Sequence, residues 1–340
     1  MRVSVVGCGA VSRNHLRVLK SLKGIEISSV ADIKKDRADA AAKKYGCKAY
    51  YDFEAMLNED KPDCIHICTP HYLHVPMAVA ALEKGINVLC EKPCAITQEG
   101  LSQLRKAQDK SSSNFGVCFQ NRYIESVTAV KNIIDKKLFG KVVSARAFVH
   151  WSRGEDYYSD DWHGKLSKEG GGVTVNQAIH TQDLLRYLIG SNVASVTAHT
   201  FNDHLKGIIE VEDTVHALFE YENGVTALFN ATTAFADNRP FMIDIICKRA
   251  TLRIEGDKAY VISLGKIKQL RLKNALDFIG KRYWGSGHAP LIKDFYNCIE
   301  KGRPFPIDAY EGGKAVEEFL AIYRSSESGE KIYLKQDGVK

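Results

Sequence analysis

Hydrophobic and polar positions follow two alternating periods along the first 120 residues of the chain. Short apolar runs, such as RVSVV at 2–6 and CIHI at 64–67, have the length and composition of buried strands. Between them, segments such as SRNHLRVLKSL at 12–22 repeat apolar residues at helical spacing. Strands that alternate with helices are typical of βαβ units and of a parallel sheet covered on both faces. The pattern therefore predicts an α/β fold with a doubly wound parallel sheet.

The pattern changes after Asn121. Within 194–263, strand-like runs follow one another without helical segments, which predicts antiparallel pairing. ENG at 222–224 is typical of a hairpin turn in this region. Helical patterns precede and follow the strands. We expect two domains, residues 1–121 around the parallel sheet and residues 122–340 around an antiparallel sheet that carries helices.

Composition and charge exclude several classes of protein. The chain is 45% hydrophobic and 26% charged, which is ordinary for a globular protein. Its net charge of +6 is spread along the chain, so we expect solvated faces and no nucleic-acid partner. It has no run of 18 apolar residues and no signal-peptide pattern, so we expect no membrane contact. The nine cysteines form no compact disulfide framework, which predicts a reducing, cytoplasmic compartment.

A glycine-rich turn, GCGAVS at 7–12, follows the first predicted strand and precedes a helix. Glycines let the backbone approach a pyrophosphate, which then lies at the helix N-terminus. A serine stands where the dinucleotide-binding fingerprint has its third glycine, and it is small enough for close helix–strand packing. The predicted cofactor contacts in this turn are Gly7, Gly9, Ala10, Val11 and Ser12.

An acidic residue ends the second predicted strand. Asp32 lies 23 residues after Gly9, where it can accept hydrogen bonds from ribose hydroxyls and would repel a 2′-phosphate. NAD is therefore expected as the cofactor, and NADP is less favoured. Lys34 and Lys35 follow directly and weaken that preference. The alternative for the turn and the aspartate is a structure without a nucleotide.

Lysine 92 ends another strand at the same expected sheet edge, in the stretch CEKP at 90–93. Ligands of open α/β sheets bind at the carboxyl ends of the strands. Pro93 disfavours helical backbone at Lys92. In a partly dry cleft beside a positively charged nicotinamide, the pKa of Lys92 would fall, which suits proton exchange with an alcohol. The alternative is a solvated lysine at a strand end.

TPHYLH at 69–74 ends the neighbouring strand, so we expect these residues to face the cofactor too. A helix-capping turn is the alternative. The spacing of Cys68, His71 and His74 fits no zinc pattern, so we expect no metal.

A second motif lies in EGGGVTVNQAIHTQDLL at 169–185. Its three glycines suggest a flexible entry to a helix. On that helix Asn176 and His180 would share one face, with Asp183 one turn further. The alternative is a structural histidine.

Taken together, GCGAVS, Asp32, TPHYLH, CEKP and GGG…NQAIHTQDL occur in an order and spacing that resembles the Gfo/Idh/MocA family, the glucose–fructose oxidoreductase and inositol dehydrogenase group. The resemblance covers nearly the whole chain. It implies a Rossmann domain and a second α/β domain with a large, mostly antiparallel sheet, through which we expect homodimers or homotetramers. It also implies hydride transfer at a carbon of a sugar or cyclic polyol, with Lys92 and His180 in proton transfer.

Departures from the family pattern refine this expectation. Asn176 stands where many members have aspartate, and an asparagine can orient a hydroxyl but cannot act as a base. NQAIH with an upstream aromatic loop, here at 150–172, resembles a branch that acts on pyranosides, including oxidation at C3. Trp162 and His163 stand where relatives often show Trp-Arg, and His71 replaces a frequent asparagine.

The expected function is NAD(H)-dependent hydride transfer at a hydroxyl carbon, C3 for preference, of a sugar, glycoside or cyclic polyol. Two alternatives stay open: a glycosidase that retains NAD and acts by transient oxidation and elimination, and a non-catalytic sugar–NAD sensor. The expected catalytic residues are Lys92, His180 and Asn176. Besides the glycine-rich turn and Asp32, the expected cofactor contacts are Thr69, Pro70, His71, His74, Glu91, Lys92, Gln120 and Trp162. The expected substrate contacts are Lys92, Arg122, Tyr157, His163, Asn176, His180 and His288.

Overall fold

The structure, a computed structural model, describes residues 1–272 and 286–334. The chain divides into two units, one formed by Met1–Gln120 with His288–Val316 and the other by Asn121–Gly287 with Glu317–Lys340. The first unit thus includes residues 288–316, which the sequence-based division assigned to the second domain.

The first unit contains a parallel sheet of six strands within the described residues. Its strands are β1 (Arg2–Val6), β2 (Glu26–Ala31), β3 (Lys48–Tyr50), β4 (Cys64–Ile67), β5 (Asn87–Cys90) and β6 (Phe115–Val117). Their order is β3-β2-β1-β4-β5-β6, so the direction of winding reverses between β1 and β4. Its first helices are α1 (Ser12–Ser21), α2 (Lys35–Tyr45), α3 (Phe53–Glu59), α4 (His74–Glu83) and α5 (Gln98–Lys110). The predicted doubly wound parallel sheet is confirmed.

The sequence analysis missed β3 and α3. Strand β3 has only three residues, too few for a recognisable alternation. Helix α3 has seven residues and begins after Asp52, whose carboxylate accepts a hydrogen bond from the backbone N–H of Ala55 at 2.8 Å. This N-cap was a usable signal, because aspartate is among the residues preferred at that position.

The second unit contains a sheet of nine strands within the described residues, in the order β14-β13-β12-β11-β7-β10-β9-β8-β15. All neighbouring pairs are antiparallel except β7 with β10, so the predicted mostly antiparallel sheet is confirmed. The helices from here on are α6 (Glu125–Asp135), α7 (Leu166–Glu169), α8 (Ile179–Ile189), α9 (His288–Glu300) and α10 (Gly313–Ser328), of which α9 and the start of α10 belong to the first unit. The strands are β7 (Val142–His150), β8 (Val193–Phe201), β9 (Thr214–Tyr221), β10 (Thr226–Thr232), β11 (Met242–Cys247), β12 (Thr251–Glu255), β13 (Lys258–Ser263), β14 (Lys266–Gln269) and β15 (Ile332–Tyr333).

Alternation along the strands separates a core face from an open face. Inward positions of β7, β9, β10 and β11 join α6 and α8 in one hydrophobic cluster, with Phe219 and Phe229 fully buried. The intervening positions stay open, and Leu218 and Leu228, direct partners across β9 and β10, are 42% and 46% exposed. The predicted turn at 222–224 joins these two strands, and Gly224 has a φ of +81° there, a conformation that glycine tolerates.

Two further findings concern the cysteines and the length of the helices. None of the nine cysteines, all within the described part of the chain, forms a disulfide. No helix in residues 1–272 or 286–334 has both the length and the apolar character needed to span a bilayer.

A cross-strand ion cluster stabilises the open face of the second sheet. The side chain of Asp244 on β11 is fully buried and directly faces Arg146 on β7 and Arg253 on β12. Arg253 donates two hydrogen bonds to the carboxylate, at 2.7 and 2.8 Å, and Arg146 donates one at 2.9 Å. Burial alone would raise the pKa of Asp244, but these contacts outweigh it and lower the pKa.

We expect Asp244→Asn to lower the free energy of unfolding at pH 7 by about 2 kcal/mol. A carboxylate whose folded pKa is lowered contributes stability above its unfolded pKa of about 3.9 and loses it as pH falls through the folded pKa. The difference between variant and wild type should therefore shrink in acid. Denaturant unfolding at several pH values measures it. Asp237→Asn, in an exposed pair with Arg239, is the control and should change little. A deficit that is independent of pH would contradict the argument.

Candidate active site

The carboxyl ends of β1 and β4 hold the glycine-rich turn in a close backbone contact. Gly7 has a φ of +85°, and a Cβ there would lie 2.6 Å from the carbonyl oxygen of Cys68. Gly9 instead faces open space, with no atom within 4 Å of the position that a Cβ would take. The two glycines therefore have different roles, since Gly7 permits the turn and Gly9 leaves its backbone approachable.

Helix α1 begins directly after this turn without a side-chain cap on its N-terminal N–H groups. Its first turn has no acidic residue, and the Ser12 hydroxyl donates to the Gly9 carbonyl at 2.7 Å. An uncapped helix N-terminus next to an accessible glycine suits a pyrophosphate.

Asp32 lies beside the turn at the end of β2. Its two carboxylate oxygens accept hydrogen bonds from the backbone N–H groups of Cys8 and Lys34, each at 2.8 Å. Burial, together with the charge of Asp32, raises the pKa of the Cys8 thiol to about 12, so the cysteine stays protonated. The aspartate is fixed by the backbone in the position expected for a ribose contact. The turn, the helix and Asp32 together fit the adenosine half of a dinucleotide.

His74 connects the loops that follow β4 and β5. It is fully buried, with Nδ1 2.7 Å from the carbonyl oxygen of Pro93 and Nε2 2.9 Å from that of Thr69. Burial lowers the pKa of His74 in spite of these two carbonyl contacts, and a neutral imidazole donates a hydrogen bond to only one of them. Both ring nitrogens thus contact protein backbone. His71, next to it, is also buried.

Lys92 follows β5 and is partly buried. Its backbone N–H donates to Glu91 Oε2 at 3.3 Å, and its peptide bond to Pro93 is cis. Glu91 is only 5% exposed, and its Oε1 lies 2.8 Å from His15 Nε2 and 3.7 Å from His288 Nε2. Burial alone would raise the pKa of Glu91, but the two histidines outweigh it and hold the pKa well below its usual range. An ionised carboxylate therefore accepts the hydrogen bond of the Lys92 backbone.

In the second unit, Asn176 contacts a buried carboxylate. Its Nδ2 lies 2.5 Å from Glu169 Oε1 and 3.2 Å from the Tyr157 hydroxyl. Glu169 is fully buried, and its Oε2 accepts from the backbone N–H of Gly164 at 2.5 Å. The ring of His163 lies 4.7 Å from that of Tyr157. These side chains form one polar cluster with an aromatic wall.

The prediction that Asn176 and His180 share a helix is wrong. Helix α8 begins at Ile179, so His180 is in its first turn and Asn176 lies in the irregular turn before it. The reason is that the backbone N–H groups of Gly172 and Thr174 donate to the buried Glu212 carboxylate, both at 2.9 Å. The preceding loop is thereby fixed to Glu212 rather than continuing as helix.

The glycines before this turn are needed for close packing, not for flexibility. A Cβ on Gly171 would lie 1.9 Å from the Tyr323 hydroxyl, and one on Gly172 would lie 1.9 Å from the carbonyl oxygen of Glu212. Tyr323 in turn lies 3.0 Å from both carboxylate oxygens of Glu212. The suggested flexible entry is therefore replaced by a tightly packed one.

Arg122 forms a buried ion pair with Asp183. Its Nε and Nη2 donate to the two carboxylate oxygens of Asp183 at 2.7 and 2.5 Å, and its guanidinium lies 4.9 Å from the Tyr187 ring centre. The rings of Trp162 and His163 are in contact, with centres 3.8 Å apart and an interplanar angle of 34°. Asp160 accepts from His163 Nδ1 at 2.6 Å.

Comparison with known proteins places both units. Residues 1–119 match a family described as an oxidoreductase family with an NAD-binding Rossmann fold, and residues 127–259 match the GFO/IDH/MocA C-terminal domain. An inositol 2-dehydrogenase of Salmonella paratyphi B is 32% identical, over 97% of this chain and 95% of that protein. The chain belongs to the GFO/IDH/MocA oxidoreductase family.

Two other proteins are similar over nearly their whole length. The D-glucoside 3-dehydrogenase of Escherichia coli K12 is 26% identical over 98% of this chain and 97% of its own. The WlbA dehydrogenase of Bordetella pertussis, solved with NADH and UDP-GlcNAcA, is 28% identical, covers 99% of both chains and has a TM-score of 0.86. The predicted family, Rossmann domain and NAD cofactor are confirmed.

The family's predicted site residues fall into both units. The first unit holds the glycine-rich turn, Asp32, Thr69, Pro70, His71, His74, Glu91, Lys92, Gln120 and His288. The second unit holds Arg122, Tyr157, Trp162, His163, Asn176 and His180. Within the first unit, His288 lies near the Glu91 carboxylate. Within the second unit, Asn176 contacts Glu169 and Tyr157, and Tyr157 contacts His163.

Sequence reasoning missed His15 and Glu169, the partners of Glu91 and Asn176. His66 offered a signal for the first, because a histidine inside the apolar run CIHI needs a buried polar partner, and that partner is His15. No local pattern distinguishes Glu169 from a solvated acid before a glycine turn.

A pair of variants separates the two glycine roles. Gly7→Ala should lower the free energy of unfolding by about 2 kcal/mol or more, because of its positive φ and the Cys68 contact. Gly9→Ala should keep the fold, since its Cβ meets nothing, but weaken NAD binding about tenfold by filling the approach to the backbone. Thermal unfolding and NAD titration by calorimetry measure both. Unchanged NAD affinity in a folded Gly9→Ala variant would contradict the assigned pyrophosphate approach.

Proposed function

We propose that this protein is an NAD(H)-dependent dehydrogenase that transfers hydride at C3 of a pyranoside or at a hydroxyl carbon of a related cyclic polyol. The observation that carries the proposal lies in the first unit. Lys92 follows β5 at the sheet edge where the Gly7–Gly9 turn and Asp32 end β1 and β2. An amine at the carboxyl edge of a nucleotide-binding sheet is placed for proton exchange with a bound alcohol.

The relatives support the reaction and its substrate class. Proteins similar over nearly the full length are named inositol 2-dehydrogenase and D-glucoside 3-dehydrogenase, and a similar structure holds NADH with a nucleotide-linked sugar acid. All three ligands or substrates are rings that carry several hydroxyl groups. The name of the glucoside enzyme supports C3 as the carbon oxidised here.

In the proposed mechanism, the glycine-rich turn and Asp32 hold NAD, which accepts the hydride when bound. Lys92 binds the reacting hydroxyl and takes its proton, assisted by His180. Asn176 orients the sugar, because an amide can donate or accept a hydrogen bond but cannot act as a base. Glu169 fixes the direction of that amide through the bond to Nδ2. Tyr157 and His163 add an aromatic surface suited to a sugar ring.

The contacts of Arg122 and His74 limit their part in this proposal. Arg122 already pairs with Asp183, and both nitrogens of His74 contact backbone carbonyls. We assign them to the support of the site rather than to binding of sugar or NAD.

The first experiment is absorbance of reduced nicotinamide while the protein is offered NAD with a panel of glycosides, inositols and a UDP-linked sugar acid. NADH formation with one class supports the dehydrogenase and identifies its substrate class. Release of an aglycone without NADH would favour the glycosidase that retains NAD. Binding of a sugar and NAD without either product would favour the sensor.

Lys92→Ala should lower kcat by at least about 100-fold and leave the Kd of NAD within about twofold. The reason is that the lysine is assigned to proton transfer, while the glycine-rich turn holds the cofactor. Lys106→Ala, on an exposed position of α5, is the control and should keep wild-type kinetics. Near-normal turnover of Lys92→Ala would exclude the assigned role.

We also propose that the open face of the second sheet contacts a second copy of the chain, in the cytoplasm, where thiols stay reduced. The adjacent exposed leucines Leu218 and Leu228 give this face its apolar centre. Leu228→Asp should lower the mass measured by light scattering from a dimer or tetramer toward a monomer. Leu138→Asp, which changes a leucine that is 53% exposed outside the strands, is the control. A monomeric wild type, or an unchanged mass, would contradict this assembly.

A further inference from the structure

A series of buried hydrogen bonds runs through the first unit and ends at the backbone N–H of Lys92. Tyr296 on α9 has its hydroxyl 2.8 Å from His66 Nε2 on β4. His66 Nδ1 lies 2.8 Å from His15 Nδ1 on α1, and His15 Nε2 lies 2.8 Å from Glu91 Oε1. Glu91 then accepts from the backbone N–H of Lys92 through Oε2. Tyr296, His66 and His15 are each at most 3% exposed, and Glu91 is 5% exposed.

Burial and hydrogen-bond partners determine the protonation states of the residues in this series. Burial lowers the pKa of His66 well below its usual value and raises the pKa of Tyr296 well above its own, so both are neutral at pH 7. Glu91 is ionised, as described above. The titratable groups that interact electrostatically with Glu91 are His15, His66, Cys68, His74, Cys90, Cys118 and His288, and the charge of Lys92 acts in turn on His74 and His288.

Donor and acceptor rules fix the His15–Glu91 contact. An ionised carboxylate only accepts, so His15 Nε2 must carry a hydrogen. If His15 is neutral, its Nδ1 accepts from His66, and His66 Nε2 accepts from Tyr296. If both His15 nitrogens carry a hydrogen, the direction of donation reverses: His15 donates to His66, and His66 donates to the Tyr296 hydroxyl oxygen. That hydroxyl then donates to Cys64 Sγ at 3.7 Å. Every link is made in both arrangements, and His15 donates to Glu91 in each.

The same region has the residue types of a metal site, but its distances favour hydrogen bonds. The potential ligand atoms of His15, Glu91, Cys118 and His288 lie within 4.8 Å of one another. Two nitrogen or oxygen ligands of a tetrahedral zinc, each about 2.0–2.1 Å from the ion, would lie about 3.3 Å apart. The His15–Glu91 separation of 2.8 Å is shorter than this and matches a charge-assisted hydrogen bond.

We propose that His15 is a positioning residue for Lys92. By donating to Glu91, His15 keeps this carboxylate negatively charged and fixed as the acceptor of the Lys92 backbone N–H. Such a role deepens the proposed function and rests on Lys92 as its proton-transfer group. Without His15, burial would favour the neutral carboxyl form of Glu91, and the lysine would lose a neighbouring anion. A neutral Glu91 would make the ammonium of Lys92 easier to deprotonate.

The test measures Lys92 directly, on the protein without substrate. Labelling by an amine-reactive reagent is followed as a function of pH, and the Lys92 peptide is quantified by mass spectrometry. The variants are His15→Leu, Glu91→Gln and the double variant. Ser4→Ala is the matched control, because it removes a buried hydroxyl that donates to the Asp60 carboxylate at 2.8 Å elsewhere in the same unit.

We expect His15→Leu and Glu91→Gln to move the midpoint of Lys92 labelling to lower pH. The double variant should shift no further than Glu91→Gln, because His15 acts through the charge of Glu91. Ser4→Ala should keep the wild-type midpoint even where it lowers thermal stability. If His15→Leu does not fold, Glu91→Gln still decides the matter, and an unchanged midpoint there overturns the proposal.

Turnover provides a second readout. At a pH above the labelling midpoint of every variant, each variant should lower kcat by about 10- to 100-fold with little change in the KM for NAD, because the lysine is then deprotonated in all of them and only its position differs. A labelling shift in a protein that oxidises no sugar would leave the positioning role and remove the dehydrogenase. Turnover that depends on Lys92, with no labelling shift, would leave the dehydrogenase and remove the positioning role.

Discussion

A buried, ionised carboxylate at the end of β5 constrains the carboxyl edge of the parallel sheet in the first unit. Glu91 is 5% exposed, and an unpartnered charge at such a position costs several kcal/mol. The fold therefore supplies His15 from α1 and His288 from α9 at one carboxylate oxygen and the Lys92 backbone at the other. This requirement gives a physical reason for α9 to belong to the unit that contains the parallel sheet, although it comes almost 200 residues after β5.

The loops at this edge are linked to one another rather than left independent. His74 contacts backbone carbonyls after both β4 and β5, and Gly7 packs against the backbone after β4. A displacement of one loop therefore breaks buried polar contacts in the next, and each such break leaves an unsatisfied group that costs about 1–3 kcal/mol. Rigid support of this kind suits a site in which small errors of position cost rate.

The sequence pattern predicted the features that depend on residues close together in the chain. The parallel strands, Gly7, Gly9 and Asp32 were accessible because alternation, turn chemistry and strand ends leave signals within a few residues. The partners of Glu91 and Asn176 were not, because His15 and Glu91 are 76 residues apart and meet only in the folded sheet. The start of α8 was misplaced for the same reason, since Glu212, 40 residues from Gly172, captures the backbone before the helix.

The two units share one structural feature, a buried glutamate beside a proposed substrate contact. Lys92 and Asn176, the groups assigned to the substrate, each lie next to a glutamate that is almost fully buried: Glu91 in the first unit and Glu169 in the second. A carboxylate in low dielectric holds a hydrogen-bond donor more firmly than a solvated one does, because water does not compete. Asn176 thus has a buried carboxylate directly beside its amide. That carboxylate fixes the direction of the Asn176 amide, and an amide cannot itself act as a base.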